Sequence, residues 1–214
     1  MIQLENVEKS YGPNRVLKGI NLTIEKGDFT SVTGSSGSGK STLLNLIGGM
    51  DRPDKGTILV DGAAISLYND EQLTAYRRKQ IGFIFQFFNL LPNITVFENV
   101  LMPLLLNERD EENSVFEMID HVGLRGKAHA YPYQLSGGEQ QRVAIARALI
   151  HNPGIILADE PTGSLDSETG KAIMELISQL KEETGKTVIL VTHESYIAKY
   201  ARRAFHIRDG MMLQ

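Results

Sequence analysis

Residues 34 to 42 read Gly-Ser-Ser-Gly-Ser-Gly-Lys-Ser-Thr, the spacing G-x-x-x-x-G-K-[ST], and no other stretch limits the possible folds as strongly. Upstream, Phe29-Thr30-Ser31-Val32-Thr33 reads as a short strand; downstream, Leu43, Leu46 and Ile47 fall at i, i+3 and i+4, one face of a helix. A loop in this strand-to-helix setting implies an α/β chain built to hold a phosphate. Gly34, Gly37 and Gly39 permit positive φ and close backbone approach, so the loop with Ser35, Ser36 and Ser38 can turn successive N–H groups toward phosphate oxygens. The positive end of the following helix dipole lies behind them. Lys40 supplies a point charge for the β- and γ-phosphates, the Ser41 hydroxyl is placed for Mg²⁺ and closes the motif, and Thr42 follows directly. The alternative, a flexible Gly/Ser linker, leaves the full motif and its setting unexplained.

Composition narrows the partners. The chain has 214 residues, a net charge of -4 and no cysteine, and its pI is about 5.8. An acidic balance gives no footprint for nucleic acid, and without cysteine there is no disulfide, thiol or Cys-based metal chemistry. The start, Met1 to Glu5, shows no basic region followed by an apolar one, so no signal peptide is expected. The most apolar stretches, 81–91 and 100–106, fall short of the ~20 residues that span a bilayer. A soluble intracellular protein able to dock on a membrane partner is the expectation.

Residues 2 to 32 read as short strands broken by Gly12-Pro13-Asn14 and by a turn at 25–28. Tyr11 lies at the first turn; it can stack on an adenine ring or pack at a strand end. A turn at 51–56, a strand Thr57–Val60 and a short polar helix at 70–79 follow. Ile81 to Phe85 is an apolar strand that delivers Gln86 at its carboxyl end, where open α/β sheets place ligand contacts. From Phe87 to Leu149 helical spacing takes over, read as a helical subdomain (87–149) inserted into an α/β core (1–86 and 150–214). Its entrance, Phe87 to Pro92, is either buried beneath the subdomain or part of a protein-binding groove.

Leu135-Ser136-Gly137-Gly138-Glu139-Gln140 opens a helix. Ser136 and Glu139 form a capping box, yet the box does not require Gly137 and Gly138, which would admit a phosphate to the helix N-terminus. Because residues 34–42 already cradle the chain's own phosphates, this second helix start is expected to serve a nucleotide held by another copy. Ile155 to Ala158 is an apolar strand delivering Asp159 and Glu160. Adjacent carboxylates there suit an outer-sphere Mg²⁺ contact for Asp159 and a general base for Glu160, against a solvated acidic turn. A loop at 161–166, a helix at 167–183 and a buried strand, Thr187–Thr192, lead to His193, which at that strand end suits a γ-phosphate contact more than a structural role. Residues 204–213 read as a hairpin about Asp209-Gly210.

Together these residues resemble the nucleotide-binding subunit of an ATP-binding cassette (ABC) transporter, across essentially the whole chain. The most specific element is Leu135 to Gln140, which is similar to that family's signature and is not a general feature of phosphate loops. The resemblance implies a P-loop NTPase with a RecA-like core sheet, a small antiparallel β subdomain and the inserted helical subdomain. It implies ATP and Mg²⁺ as ligands, with Tyr11 stacking adenine and Ser41 and Gln86 at the metal. Ser136 and Gly138, flanked by Gly137 and Glu139, would reach the γ-phosphate across a head-to-tail dimer, Asp166 would join the two sites, and Lys40, Gln86, Glu160 and His193 would carry hydrolysis. An integral membrane permease and a second copy are the implied partners, with no nucleic acid, and the implied location is cytoplasmic, on the inner face of the cell membrane. Residues 94–105 and the wording around Pro161-Thr162-Gly163 look most like ATPases of macrolide-efflux, lipoprotein-release and related peptide exporters. The stretch 107–113 is short for that subgroup, and Ser35 stands where many relatives have proline. The alternative output is a regulatory or mechanical ATPase of the same fold; a DNA-repair ATPase lacks room for a coiled coil between Gln86 and Ser136, and no N-K-x-D guanine-reading sequence supports a GTPase.

Overall fold

The computed structural model describes residues 1–108 and 111–213; Arg109 and Asp110, within the short 107–113 stretch, lie outside the described residues. The elements begin β1 (Ile2–Tyr11), β2 (Asn14–Ile24), β3 (Phe29–Thr33), α1 (Lys40–Ile47), β4 (Lys55–Val60), β5 (Ala63–Ala64) and α2 (Asp70–Gln80). They continue β6 (Ile81–Ile84), α3 (Val96–Leu105), α4 (Glu112–His121), α5 (Gly137–Leu149), β7 (Ile155–Asp159) and α6 (Ser167–Thr184). The chain closes with β8 (Thr187–Thr192), α7 (Ser195–Ala198), β9 (Arg203–Arg208) and β10 (Met211–Leu213). Two compact units result: Met1–Arg77 with Gly185–Gln214, and Arg78–Thr184.

The first unit holds an antiparallel sheet in the order β2-β1-β4-β5 and a strand run β10-β9-β3-β8. In the antiparallel sheet Ile2, Leu4, Val7, Ile20, Leu22 and Ile24 are buried, the inward positions of a half-buried pleat. β4 starts at Lys55, ahead of the expected Thr57, because Lys55 pairs with Glu8 of β1. Gly56 makes the crossing possible: its φ is +85°, and a Cβ there would lie 2.4 Å from the Asn6 carbonyl oxygen. In the other run β3 pairs in parallel with both β8 and β9. Every residue of β8 is buried, the signature of a parallel strand covered on both faces. α1 lies against β8 and buries Leu43, Leu44, Leu46 and Ile47, the stripe expected from the spacing plus one further leucine. Asp209 (φ 50°) and Gly210 (φ 78°) make the expected β9–β10 turn in the left-handed region.

In the second unit β6 and β7 run parallel, with Ile84 opposite Ala158. α5 packs on β6, α3, α4 and α6 and buries Val143, Ala144, Ile145, Ala146, Ala148 and Leu149. Burying each large aliphatic side chain stabilises by about 1.5–3 kcal/mol, so α5 anchors the unit. Its approach to β6 depends on Gly82, where a Cβ would meet the Ala148 carbonyl oxygen at 2.2 Å. α3 starts on a Thr95–Glu98 capping box, and the fully buried Asn99 donates to the carbonyls of Leu91, Ile94 and Thr95. One amide thereby ties the preceding loop to the helix.

Candidate nucleotide-binding site

The phosphate loop belongs to the first unit. Thr33 of β3 stands opposite Thr192 of β8, so Gly34 and His193 leave the carboxyl ends of neighbouring parallel strands. The loop turns into α1 through Gly37 (φ 77°) and Gly39 (φ 107°), conformations that cost a residue with a Cβ. Gly39 is the N-cap of α1 and makes no side-chain capping bond, which leaves the helix start to an outside acceptor. Gly34 is confined as well: a Cβ would lie 2.3 Å from the Ile207 carbonyl oxygen. Ser38 Oγ is buried without a protein hydrogen-bond partner, an orphan of the kind an oxyanion satisfies. Lys40 is only 5% exposed and donates from Nζ to the carbonyls of Gly34 and Ser35, both at 3.0 Å. Its ammonium is thus kept within the loop. Ser35, Ser36, Gly37, Ser41 and His193 are exposed and Thr42 half-buried.

Tyr11, at the end of β1, is 47% exposed. Its hydroxyl donates to Asp51 Oδ2 at 2.7 Å, with the Thr42 side chain also within hydrogen-bonding reach. Lys9 donates to Asp51 Oδ1 and to the Arg52 carbonyl, each at 2.7 Å, and its Nζ stands 5.2 Å from the Tyr11 ring centroid. Lys9 and Asp51 escaped sequence reading because the contact joins positions 42 apart with no motif linking them.

The second unit carries the remaining candidates. The β6–β7 register brings Gln86 and Asp159 to the same carboxyl end. Glu160 follows with φ 46°, a left-handed conformation costing a non-glycine residue about 1–2 kcal/mol. The loop after it is fastened to the Gln86 segment: Ser164 Oγ donates to the Gln86 carbonyl at 2.8 Å, and a Cβ on Gly163 would meet Gln86 Nε2 at 2.8 Å. Gln141, wholly buried in α5, donates to the Pro161 carbonyl at 2.7 Å and the Phe85 carbonyl at 3.4 Å. It lies a helical period from Ile145 and Ala148, so its place on the apolar stripe was the signal available in sequence. Asp166 caps α6, accepting from the backbone N–H groups of Glu168 and Thr169 at 3.1 and 3.0 Å. The Thr169 side chain and these amides hold its carboxyl below the usual range.

The Ser136 turn has the expected capping box, Glu139 N–H donating to Ser136 Oγ at 3.3 Å and Ser136 N–H to Glu139 Oε2 at 2.9 Å. The Ser136 backbone bond, first among its causes, holds the Glu139 carboxyl low. Ser136 is exposed, so its turn is accessible to a second molecule. The glycines also answer a packing demand inside the chain: a Cβ on Gly138 would lie 2.5 Å from Thr169 Cγ2 and one on Gly137 3.2 Å from Leu165 Cδ2. The choice left open at Phe87–Pro92 falls against burial, since Phe87 is 72% and Leu91 47% exposed. Phe88 and Asn89 have positive φ, and Arg147 gathers their carbonyls with bonds of 2.8 and 2.6 Å.

Of the candidate metal residues, Ser41 in the first unit and Gln86 and Asp159 in the second each offer a side-chain oxygen, the donor type that hard cations take. Among the described residues no group of three or more His, Cys, Asp or Glu could hold a metal unaided. Sparse protein donors supplemented by phosphate oxygens are the usual Mg²⁺ arrangement.

Residues 17–163 match the family model described as ABC transporter. The chain is 45% identical over 213 residues, covering 98% of both chains, to the lipoprotein-releasing system ATP-binding protein LolD of Bacteroides thetaiotaomicron. It is 47% identical over 221 residues, covering 98% of this chain and 94% of the relative, to MJ0796 of Methanocaldococcus jannaschii, an uncharacterized ABC transporter ATP-binding protein. A solved dimer of MJ0796 in a post-hydrolysis state, bound to ADP and Pi, superposes with a TM-score of 0.92 at 45% identity, covering 100% of this chain and 97% of that one.

Proposed function

The chain belongs to the ABC transporter family as an ATP-binding subunit and ATPase, and from this premise we propose that it powers export of a peptide, lipoprotein or drug-like substrate through a membrane permease. What supports the exporter reading is the full-length likeness to LolD. No helix among the described residues is long and apolar enough to cross a membrane, so the transport path would be the permease's and this subunit would sit on the cytoplasmic face. The division into a core (1–86 and 150–214) and a helical insertion (87–149) belongs to the same proposal.

In this proposal the loop 34–42 binds the triphosphate, Tyr11 stacks on the adenine, and the uncapped start of α1 with Lys40 neutralises the phosphates. Ser41 and Gln86 would hold Mg²⁺, with Asp159 in its outer sphere; when bound, the metal draws charge from the phosphoryl oxygens. Glu160 accepts a proton from the attacking water at a carboxylate oxygen, and His193 contacts the γ-phosphate. Ser136, Gly137, Gly138 and Glu139 of a second, head-to-tail copy close over the nucleotide, with Asp166 near the junction. Dimeric MJ0796 bound to ADP and Pi supports this arrangement.

The test is purification of the tagged chain from its own membranes. A polytopic partner with a large extracytoplasmic domain, whose presence raises ATP turnover, is the expected result. A chain that hydrolyses ATP and retains no membrane protein would overturn the transport reading.

A further inference from the structure

We propose that Asp51 is a positioning residue for the nucleotide base: it fixes the Tyr11 ring through the hydroxyl while holding Lys9 against one ring face, so that the other face is preset for stacking. The proposal rests on the reading of Tyr11 as the adenine-stacking side chain. Three observations carry it. Tyr11 donates to Asp51 Oδ2 at 2.7 Å, and Lys9 occupies the other oxygen of the same carboxylate at 2.7 Å. Asp51 is itself anchored, accepting from the Arg52 N–H at 2.7 Å. Lys9 is nearly buried, at 8% exposure, and its remaining polar contacts, the Arg52 carbonyl and Asp54 at 3.9 Å, hold the ammonium over the ring.

A half-exposed tyrosine on a strand end would otherwise sample several rotamers, and ordering it on binding would weaken affinity. Here the ring is ordered before the base arrives. The cation favours its own side of the ring and leaves the opposite side for a neutral heteroaromatic. Burial first, then the Asp51 hydrogen bond, pushes the Tyr11 phenol up, so the hydroxyl remains a donor throughout the neutral range.

The experiment is calorimetric titration of the full chain with Mg-ATP and, separately, with inorganic tripolyphosphate, which carries the phosphates without the base. Tyr11→Phe keeps the ring and the Lys9–Asp51 pair and removes the hydroxyl, with its tie to Asp51 and its reach to Thr42; Asp51→Ala removes the tie and the pair; Tyr11→Ala removes the ring. Tyr11→Phe and Asp51→Ala should each weaken ATP binding about two- to tenfold, the cost of ordering one side chain on binding, with tripolyphosphate unchanged, and Tyr11→Ala should weaken ATP at least as much. If Tyr11→Ala lowers the preference for ATP and Tyr11→Phe and Asp51→Ala do not, positioning is overturned while stacking stands. Equal loss of both ligands in Asp51→Ala, with Tyr11→Phe like wild type, overturns it too, since Asp51 would then act on the phosphate loop. A Tyr11→Ala variant with undiminished preference removes stacking and the proposal with it.

Discussion

Lys40 is a buried cation whose Nζ donates to the loop's own carbonyls, which holds its charge inside the loop where a phosphoryl group would lie. Lys40→Ala should therefore lower ATP turnover by about a hundredfold or more, as loss of a preorganised charge at a phosphoryl group does, measured as phosphate release under saturating ATP. Turnover within a few-fold of wild type would remove Lys40 from the mechanism. The residues of the phosphate loop and the Ser136 turn were legible in sequence because their chemistry depends on neighbours along the chain. Lys9 and Asp51 were not: an ion pair between β1 and the loop after α1 leaves no local trace, and only β1–β4 pairing brings the two segments together. Glu160 was legible as a carboxylate at a strand end, while its left-handed backbone was invisible, since no propensity places a glutamate there.

At the scale of the element, three helix starts in the second unit lean on carboxylates. Glu98 at α3, Glu139 at α5 and Asp166 at α6 are all held below their usual ionisation range by hydrogen bonds from backbone or side chains at the helix start. A depressed folded value means that the stabilisation is fully present above the ordinary glutamate value of about 4.3 and fades as pH falls through the lower folded value. Glu139→Gln should accordingly unfold at lower denaturant than wild type at pH 6, with the gap closing as pH drops below 4; a gap independent of pH would refute the capping account. A second prediction concerns the contact of α5 with α6. Gly138→Ala should destabilise by about 1–3 kcal/mol, the cost of overpacking, and Thr169→Ser, which removes the obstructing Cγ2 and keeps the hydroxyl beside Asp166, should restore most of it. No rescue in denaturant melts would mean that the glycine serves only an outside ligand. The boundaries of such elements were readable where caps or glycines mark them, as at Ser136 and Asp209-Gly210. The early start of β4 was not, because it is set by strand pairing across Asn6 and Gly56.

Over the whole molecule, the α/β class followed from one loop and its flanking periodicities, and the order of strands and helices from the apolar runs and turns read along the chain. The two helix starts that sequence reading assigned to phosphate lie in different compact units, the phosphate loop in one and the exposed Ser136 turn in the other. On the proposed account each completes a site with a second copy. The central claim is that ATP binding, ahead of hydrolysis, joins two chains, and it is tested most directly by sedimentation velocity of Glu160→Gln with and without Mg-ATP. Removing the base while keeping the phosphate contacts should give monomers without nucleotide and a stable dimer with it. A Glu160→Gln chain that binds ATP and still sediments as a monomer at saturation would contradict the account.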